Sequence, residues 1–207
     1  MTILHIDSGI LGAHSVSRQL TASIVGQIKA ARPGDVVTYR DLAADPIAHL
    51  DGVQLANAAN PEGVEASLAA TLEAARLSLE EFLAADVIVV GAPMYNFTIP
   101  SQLKAWIDRI LVAGKTFRYT ESGVEGLAKG KKVIVASTRG GHYSGASPIA
   151  AMDHQESYLA TVFGFIGITD IEFIRAEGLA VSPDSKAAGI AAAEEAITER
   201  AHFDIAA

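Results

Sequence analysis

The sequence predicts an α/β protein: a doubly wound, five-stranded parallel sheet with helices on both faces. Two observations carry that expectation. Five short apolar runs alternate with five longer segments of helical period, the order produced when each parallel strand returns through a crossover helix. The third run, Asp86-Val87-Ile88-Val89-Val90, is continuous and β-branched, as strands covered on both faces are.

The elements follow in order. Ile3-Leu4-His5-Ile6 is the first strand and ends at Asp7-Ser8-Gly9; Asp35 to Tyr39 is a second, weaker one. Lys132 to Ala136 and Ile171 to Ile174 are the fourth and fifth. Val16, Leu20, Ile24 and Ile28 recur every four residues and define one apolar face of the first helix. The second helix is expected to open at Asn60-Pro61-Glu62, an N-cap, a proline at the first helical position and an acid near the dipole, and to carry Val64, Leu68, Leu72, Leu79 and Leu83. The third follows Pro100 with Leu103, Ile107, Ile110 and Leu111, and is expected to stop at Gly114. The fourth is placed from Ser147-Pro148 to Phe163, and the fifth opens at Ser182-Pro183-Asp184. No repeat, linker or composition break divides residues 1–207, so one domain is expected. Residues 41–59 and 115–129 are long polar segments, the second with the character of a hairpin, and long loops in compact domains often serve function.

Composition removes several classes of function. Twenty-four acidic against sixteen basic residues give a net charge of −8, which speaks against a nucleic-acid partner. Hydrophobic residues make up 50% of the chain, enough for a sizeable core and too many for disorder. No apolar run is long enough to span a membrane, and Met1 to His5 has neither the charged nor the apolar region of a signal peptide. Cysteine is absent, so disulfide, thiolate and Cys-based zinc chemistry are excluded and a cytoplasmic location is expected. The histidines (5, 14, 49, 142, 154 and 202) show no i, i+4 pairing, and no metal site is expected.

In a parallel sheet the functional loops leave the carboxyl ends of the strands around a topological switch point. Three such loops are unusual here. After strand 1, Ser15-Val16-Ser17 opens a helix, offering two hydroxyls, free backbone N–H groups and the positive dipole end; a phosphate monoester fits, although serine N-caps are common on their own. Gly9 and Gly12 have the wrong spacing for a dinucleotide fingerprint. Gly114-Lys115-Thr116 lacks the first glycine of a Walker A motif, and no G-x-S-x-G occurs. After strand 3, Met94, Tyr95, Asn96 and Phe97 provide apolar walls and an amide for a polar ring edge. After strand 4, Thr138-Arg139-Gly140-Gly141 lets backbone approach a flat ligand closely. A phosphate cradle beside two ring-binding loops suits flavin mononucleotide (FMN) on a flavodoxin-like fold.

The segments APMYNFTIPSQLK (92–104), KTFRYTESGVEGLAKGKKVIVASTRGG (115–141), GFIGITDIEFIRAEG (164–178) and DLAADPIAHLDG (41–52) resemble the FMN-dependent NADH:azoreductase (NADH:quinone oxidoreductase) family over essentially the whole chain. The resemblance implies FMN phosphate contacts at Ser15, Val16 and Ser17, ring contacts at Met94, Tyr95, Asn96 and Phe97, and further contacts at Thr138, Arg139, Gly140 and Gly141. Gly9 stands where the family usually has serine, leaving the backbone to serve, and Thr138 keeps a hydroxyl where serine is frequent. It further implies one FMN per subunit of a homodimer, NADH as donor, azo and quinone acceptors, and a ping-pong order. Tyr119 and Phe165 would border the ring from the partner, whereas taken alone each is a packing aromatic. No side chain is named as catalytic, because the flavin carries the chemistry. The rival reading is a flavodoxin-like electron carrier without a small-molecule substrate of its own, against which the two long segments speak.

Overall fold

The computed structural model describes residues 1–58 and 63–200. Strands β1 (Thr2–Asp7), β2 (Val36–Asp41) and β3 (Val87–Pro93) are followed by a separate antiparallel hairpin, β4 (Phe117–Thr120) with β5 (Gly123–Gly126), and then by β6 (Lys132–Thr138) and β7 (Asp170–Ala176). The five remaining strands pair in parallel in the order β2-β1-β3-β6-β7. The expected sheet is therefore present. Its order reverses between β1 and β3, which makes that crevice the topological switch point.

Side-chain alternation divides two cores. Leu4, Ile6, Ile88, Val90, Val133 and Val135 face one side and pack with Phe82 of α3 (Ala66–Ala84), Leu103 and Trp106 of α4 (Ser101–Ile110), and Leu159 and Phe163 of α5 (Glu156–Phe165). Ile3, Val87, Val89 and Ile134 face the other side, against Leu20, Ile24 and Ile28 of α1 (Val16–Ala31) and Ala193 and Ile197 of α6 (Pro183–Glu199). Period-two strands and period-3.6 helices produce this arrangement directly. Ser182 caps α6 as expected, its hydroxyl accepting from the Ser185 N–H at 3.1 Å.

Several boundaries differ from expectation. The proposed second-helix start at Asn60-Pro61-Glu62 lies outside the described residues; α3 is described from Ala66, and it buries Phe82 while leaving Leu83 exposed. Helix α4 ends at Ile110, not Gly114. The buried Thr116 hydroxyl donates to the Ile110 carbonyl at 2.6 Å and so terminates the helix ladder early. Helix α5 begins at Glu156, not Ser147. One Asp153 carboxylate oxygen accepts the N–H groups of Gln155 and Glu156, and an Asp followed three residues later by Glu is a helix-start signal that outweighs the earlier Ser-Pro pair. Segment 41–59 is not wholly a loop: α2 (Gly52–Asn57), capped by Asp51, is held to α4 through buried Arg109, which donates to Gln54 and to the Ala48 carbonyl. The expected hairpin in 115–129 is β4–β5.

Arg18 in the first turn of α1 joins that helix to the end of β2 by a two-pronged pair with Asp41, at 2.6 and 2.5 Å. The pairing holds the Asp41 carboxyl below the usual carboxylate range. A carboxyl lowered on folding contributes its full stabilisation above the unfolded value of about 3.9 and loses it as pH falls through the folded value. Asp41→Asn is therefore expected to unfold at lower urea than wild type at neutral pH, with the gap closing below about pH 4. Urea midpoints measured down the acid limb check this; a gap independent of pH would mean the carboxylate charge contributes nothing.

Candidate flavin site

All twelve residues singled out from the sequence lie at or just beyond the carboxyl ends of β1, β3 and β6, three neighbouring strands. Direct bonds link the three loops. The Met94 N–H donates to the Thr138 carbonyl at 2.8 Å, and the Ile10 N–H donates to the Tyr95 hydroxyl at 3.1 Å.

The first loop runs from Ser8 into α1. Ser15 occupies the N-cap position but makes no side-chain cap bond; its hydroxyl is 3.0 Å from that of Ser17, and both side chains are buried. Two hydroxyls sharing one hydrogen bond leave one O–H proton without an acceptor among the described residues. The first helical bond is from the Gln19 N–H to the Ser15 carbonyl, so the N–H groups of Val16, Ser17 and Arg18 have no acceptor within the helix. Unspent donors at the positive end of a helix dipole suit a phosphate dianion. Gly9 borders the same pocket: a Cβ there would overlap the Ser15 hydroxyl and come within 3.1 Å of the Ser17 hydroxyl, so the missing side chain is what makes room for the pair.

The second loop is a tight turn. Tyr95 and Thr98 exchange backbone hydrogen bonds around Asn96 and Phe97, whose φ values are +49° and +72°. Asparagine tolerates this left-handed backbone; phenylalanine holds it at about 1–2 kcal/mol. Strain of this kind collects at functional sites, and it turns the Phe97 ring outward, 42% exposed. On one side of this loop a cleft of about 500 Å³ is bordered by Ile10, Tyr95 and Asn96, with Gln102 and Lys104 of α4 and Tyr158 of α5. Ser15, Ser17 and Thr138 to Gly141 do not line it.

The third loop is built on Arg139, whose side chain points inward. It is 1% exposed and pairs with Asp153 at 2.9 Å, Glu177 at 3.0 Å and Glu156. The Arg139 N–H donates to the Ala176 carbonyl and its carbonyl accepts from Leu179, and the chain then bends through Gly140 and Gly141, whose carbonyls accept from Ala180 and Gly178. Burial pulls the Glu177 carboxyl upward, but bonds from Ser144, Tyr143 and Arg139 outweigh it and hold the group below its ordinary range. Glu177 thereby fixes the loop that continues to Ser144.

Beneath these loops lie residues that sequence reasoning missed. Gln155 is fully buried; its amide donates to the Ala92 carbonyl at 2.6 Å and accepts from the Ser137 hydroxyl and Arg139 Nε, stapling the ends of β3 and β6. Asp7 accepts from Thr21 at 2.8 Å and from Tyr39 at 3.0 Å. Burial raises the Asp7 carboxyl, yet the neighbouring His5 ring and the bonds from Thr21 and Tyr39 prevail and leave it lowered, while the Tyr39 hydroxyl is pushed up to about 12 by burial and the Asp7 charge. The facing strand position is Gly91, where a Cβ would stand 2.8 Å from the Asp7 carboxylate. One signal was legible: Arg18 places a cation at the positive end of a helix, which calls for a carboxylate partner.

Of the aromatics tied to a neighbouring subunit by resemblance, Phe165 packs on Phe117 with ring centres 4.8 Å apart. Tyr119 stands edge-on to Phe117 with ring centres 5.6 Å apart, a packing contact, yet is 74% exposed at the hairpin.

Comparison with known proteins gives the geometry a context. A family model described as "Flavodoxin-like fold" matches residues 1–201. A protein of Rhizobium meliloti named FMN-dependent NADH:quinone oxidoreductase is 69% identical over 199 residues, 96% of each chain. The crystal structure of an azoreductase from Bacillus anthracis strain Sterne is similar with TM-score 0.86 at 32% identity, covering 98% of this chain and 99% of that one. An FMN-dependent NADH-azoreductase from another Bacillus anthracis strain, solved in complex with FMN, is similar with TM-score 0.87 at 25% identity over the whole of both chains.

The strained turn can be probed without any ligand. Glycine adopts positive φ freely whereas alanine does not, so Phe97→Gly is expected to be more stable than Phe97→Ala by about 1 kcal/mol, reversing the usual order of the two residues. Denaturant unfolding of both variants measures it; alanine matching or exceeding glycine would mean the turn is not left-handed in solution.

Proposed function

This chain belongs to the flavodoxin-like family of FMN-dependent NADH:quinone oxidoreductases and azoreductases, and from that premise we propose that it binds FMN across the β1, β3 and β6 loops and works by a ping-pong order. It is an NADH-using FMN enzyme that reduces quinones and azo compounds. The flavin, when bound, accepts a hydride from NADH and delivers two electrons to the acceptor. The observation that carries the placement is the buried Ser15–Ser17 hydroxyl pair, with a donor unspent, at the start of α1.

The chain's own groups divide the work. Ser15, Val16 and Ser17 receive the phosphate with hydroxyl and backbone donors, beside a Gly9 whose bare Cα leaves space. Met94 to Phe97 and the backbone of Thr138 to Gly141 hold and orient the ring, and Gln155 keeps these two loops in register from below. Arg139 supports its loop from the inside and contributes no side chain to the ligand. No acid or base is required of the protein. The exposed Phe97 and Tyr119 are the surfaces that a second subunit and a flat acceptor would cover, which supports a homodimer with one FMN per subunit, two-fold dimers being the commonest assembly. The net charge of −8 supports small-molecule rather than nucleic-acid partners. The absence of cysteine fits a cytoplasmic location, no described helix is long and apolar enough to cross a membrane, and two cores on one shared sheet fit a single domain across 1–207.

Under anaerobic conditions NADH is expected to bleach the FMN-loaded protein rapidly, and varying NADH against a quinone should give parallel double-reciprocal lines. Slow bleaching would favour an electron carrier; intersecting lines would remove the ping-pong order and leave the cofactor assignment intact.

The phosphate site has its own measurement. A hydrogen bond to a charged group contributes about 1.5–3 kcal/mol, so losing two corresponds to roughly 10²- to 10⁴-fold in affinity if the pair is additive. Ser15→Ala/Ser17→Ala should weaken FMN binding to the apoprotein by that factor while leaving the fold nearly as stable, since Ser15 makes no cap bond to lose. Unchanged dissociation constants in a fluorescence titration would place the phosphate elsewhere.

A further inference from the structure

We propose that Arg18 is the positioning residue of the FMN site, acting by locking the Gly9–Ile10 peptide between the phosphate-side loop and the ring-side loop. The inference rests on the FMN placement above. Arg18 Nε and Nη2 both donate to the Gly9 carbonyl, at 3.1 and 2.9 Å. The other end of the same peptide, the Ile10 N–H, donates to the hydroxyl of Tyr95 in the ring-side turn at 3.1 Å. One peptide plane is thus held at both ends, by a guanidinium on the phosphate side and a phenol on the ring side.

The need for such a lock follows from Gly9. With no Cβ, its φ and ψ are free to wander, and a half-rotation of the 9–10 peptide would turn a carbonyl dipole towards the phosphate dianion. Fixing that carbonyl on Arg18 keeps it turned away. Arg18 is itself immobilised: Asp41 takes it at 2.6 and 2.5 Å, the Tyr39 hydroxyl lies 3.2 Å away and Asp7 lies 3.8 Å away. Two carboxylates surround one guanidinium, so the cluster carries no spare positive charge, and Arg18 serves as a geometric fork rather than as a counter-ion to phosphate. The role is separate from that of Ser15 and Ser17, which face the ligand, because Arg18 reaches it only through the peptide.

Apoproteins of wild type, Arg18→Met, Arg18→Lys, Tyr95→Phe and Arg18→Met/Tyr95→Phe are titrated with FMN by flavin fluorescence, with urea unfolding of each in parallel. Arg18→Met is expected to bind FMN about 10- to 100-fold more weakly. Arg18→Lys, which keeps the charge and loses the fork, should be as weak as Arg18→Met; full recovery by lysine would overturn the proposal in favour of a charge effect. Because both residues grip one peptide, the double variant should lose much less than the product of the single losses, whereas multiplicative losses would overturn the shared lock. Should Arg18→Met fail to fold, the lysine variant and its double with Tyr95→Phe carry the same comparison. Wild-type apoprotein that does not bind FMN would refute the cofactor placement itself; wild-type binding with unchanged affinity in folded Arg18 variants would refute only the role given to Arg18.

Discussion

The structure depends on the burial of the central strands from both faces. Once β1, β3 and β6 carry apolar side chains up and down, each must be covered by helices above and below, and each can be joined to its neighbour only by a crossover. Parallel strands joined this way release all their functional loops at one edge. The reversal of order between β1 and β3 opens the crevice where those loops diverge. Every other feature of the site is a local solution to the problem of shaping that edge.

Two solutions are visible, and they differ in electrostatics. On the phosphate side the donors are neutral, hydroxyls and backbone N–H groups at a helix start, while the nearby cation Arg18 is consumed by Asp41 and by a carbonyl. An anion at the proposed site would be held by aligned dipoles, which demand accurate placement because each falls off quickly with angle and distance. On the proposed ring side the loops rest on a charged network, the buried Arg139 with half-buried Asp153, Glu156 and Glu177, joined to the buried amide of Gln155. Such networks add little net stability relative to an apolar core, but removing a carboxylate partner leaves the buried Arg139 charge less compensated, so they enforce one geometry. Strain adds to both: Phe97 is kept left-handed by the Tyr95–Thr98 turn, and its carbonyl accepts from His154, so the support extends to the approach of α5.

Much of this was legible in residues 1–207. The five strands, the first and last helices, the hairpin and the three strand-end loops follow from short-range physics: period-two and period-3.6 apolar patterns, Ser182-Pro183 at a helix start and loop composition. Where boundaries went astray, a long-range partner had intervened. Thr116 reaches back to end α4, and Asp153, itself paired with Arg139, sets the start of α5 eight residues beyond the Ser-Pro pair at 147–148.

The sequence by itself determined the fold class and placed its three unusual loops at one carboxyl edge, because these depend on local periodicity and on the rule that parallel strands share that edge, while the individual contact residues within the loops were implied by family resemblance. Only the tertiary structure decided how each side chain is held. It turned Arg139 inward, freed the Ser15 hydroxyl from capping, made Gly9 the space that the serine pair needs, and recruited Gln155, Arg18 and Asp41 from outside the motifs. The reason is physical: a side chain's hydrogen-bond partners lie across the sheet, 85 residues away for the Ile10–Tyr95 contact and 63 for Gln155–Ala92, and no spacing along the chain encodes them.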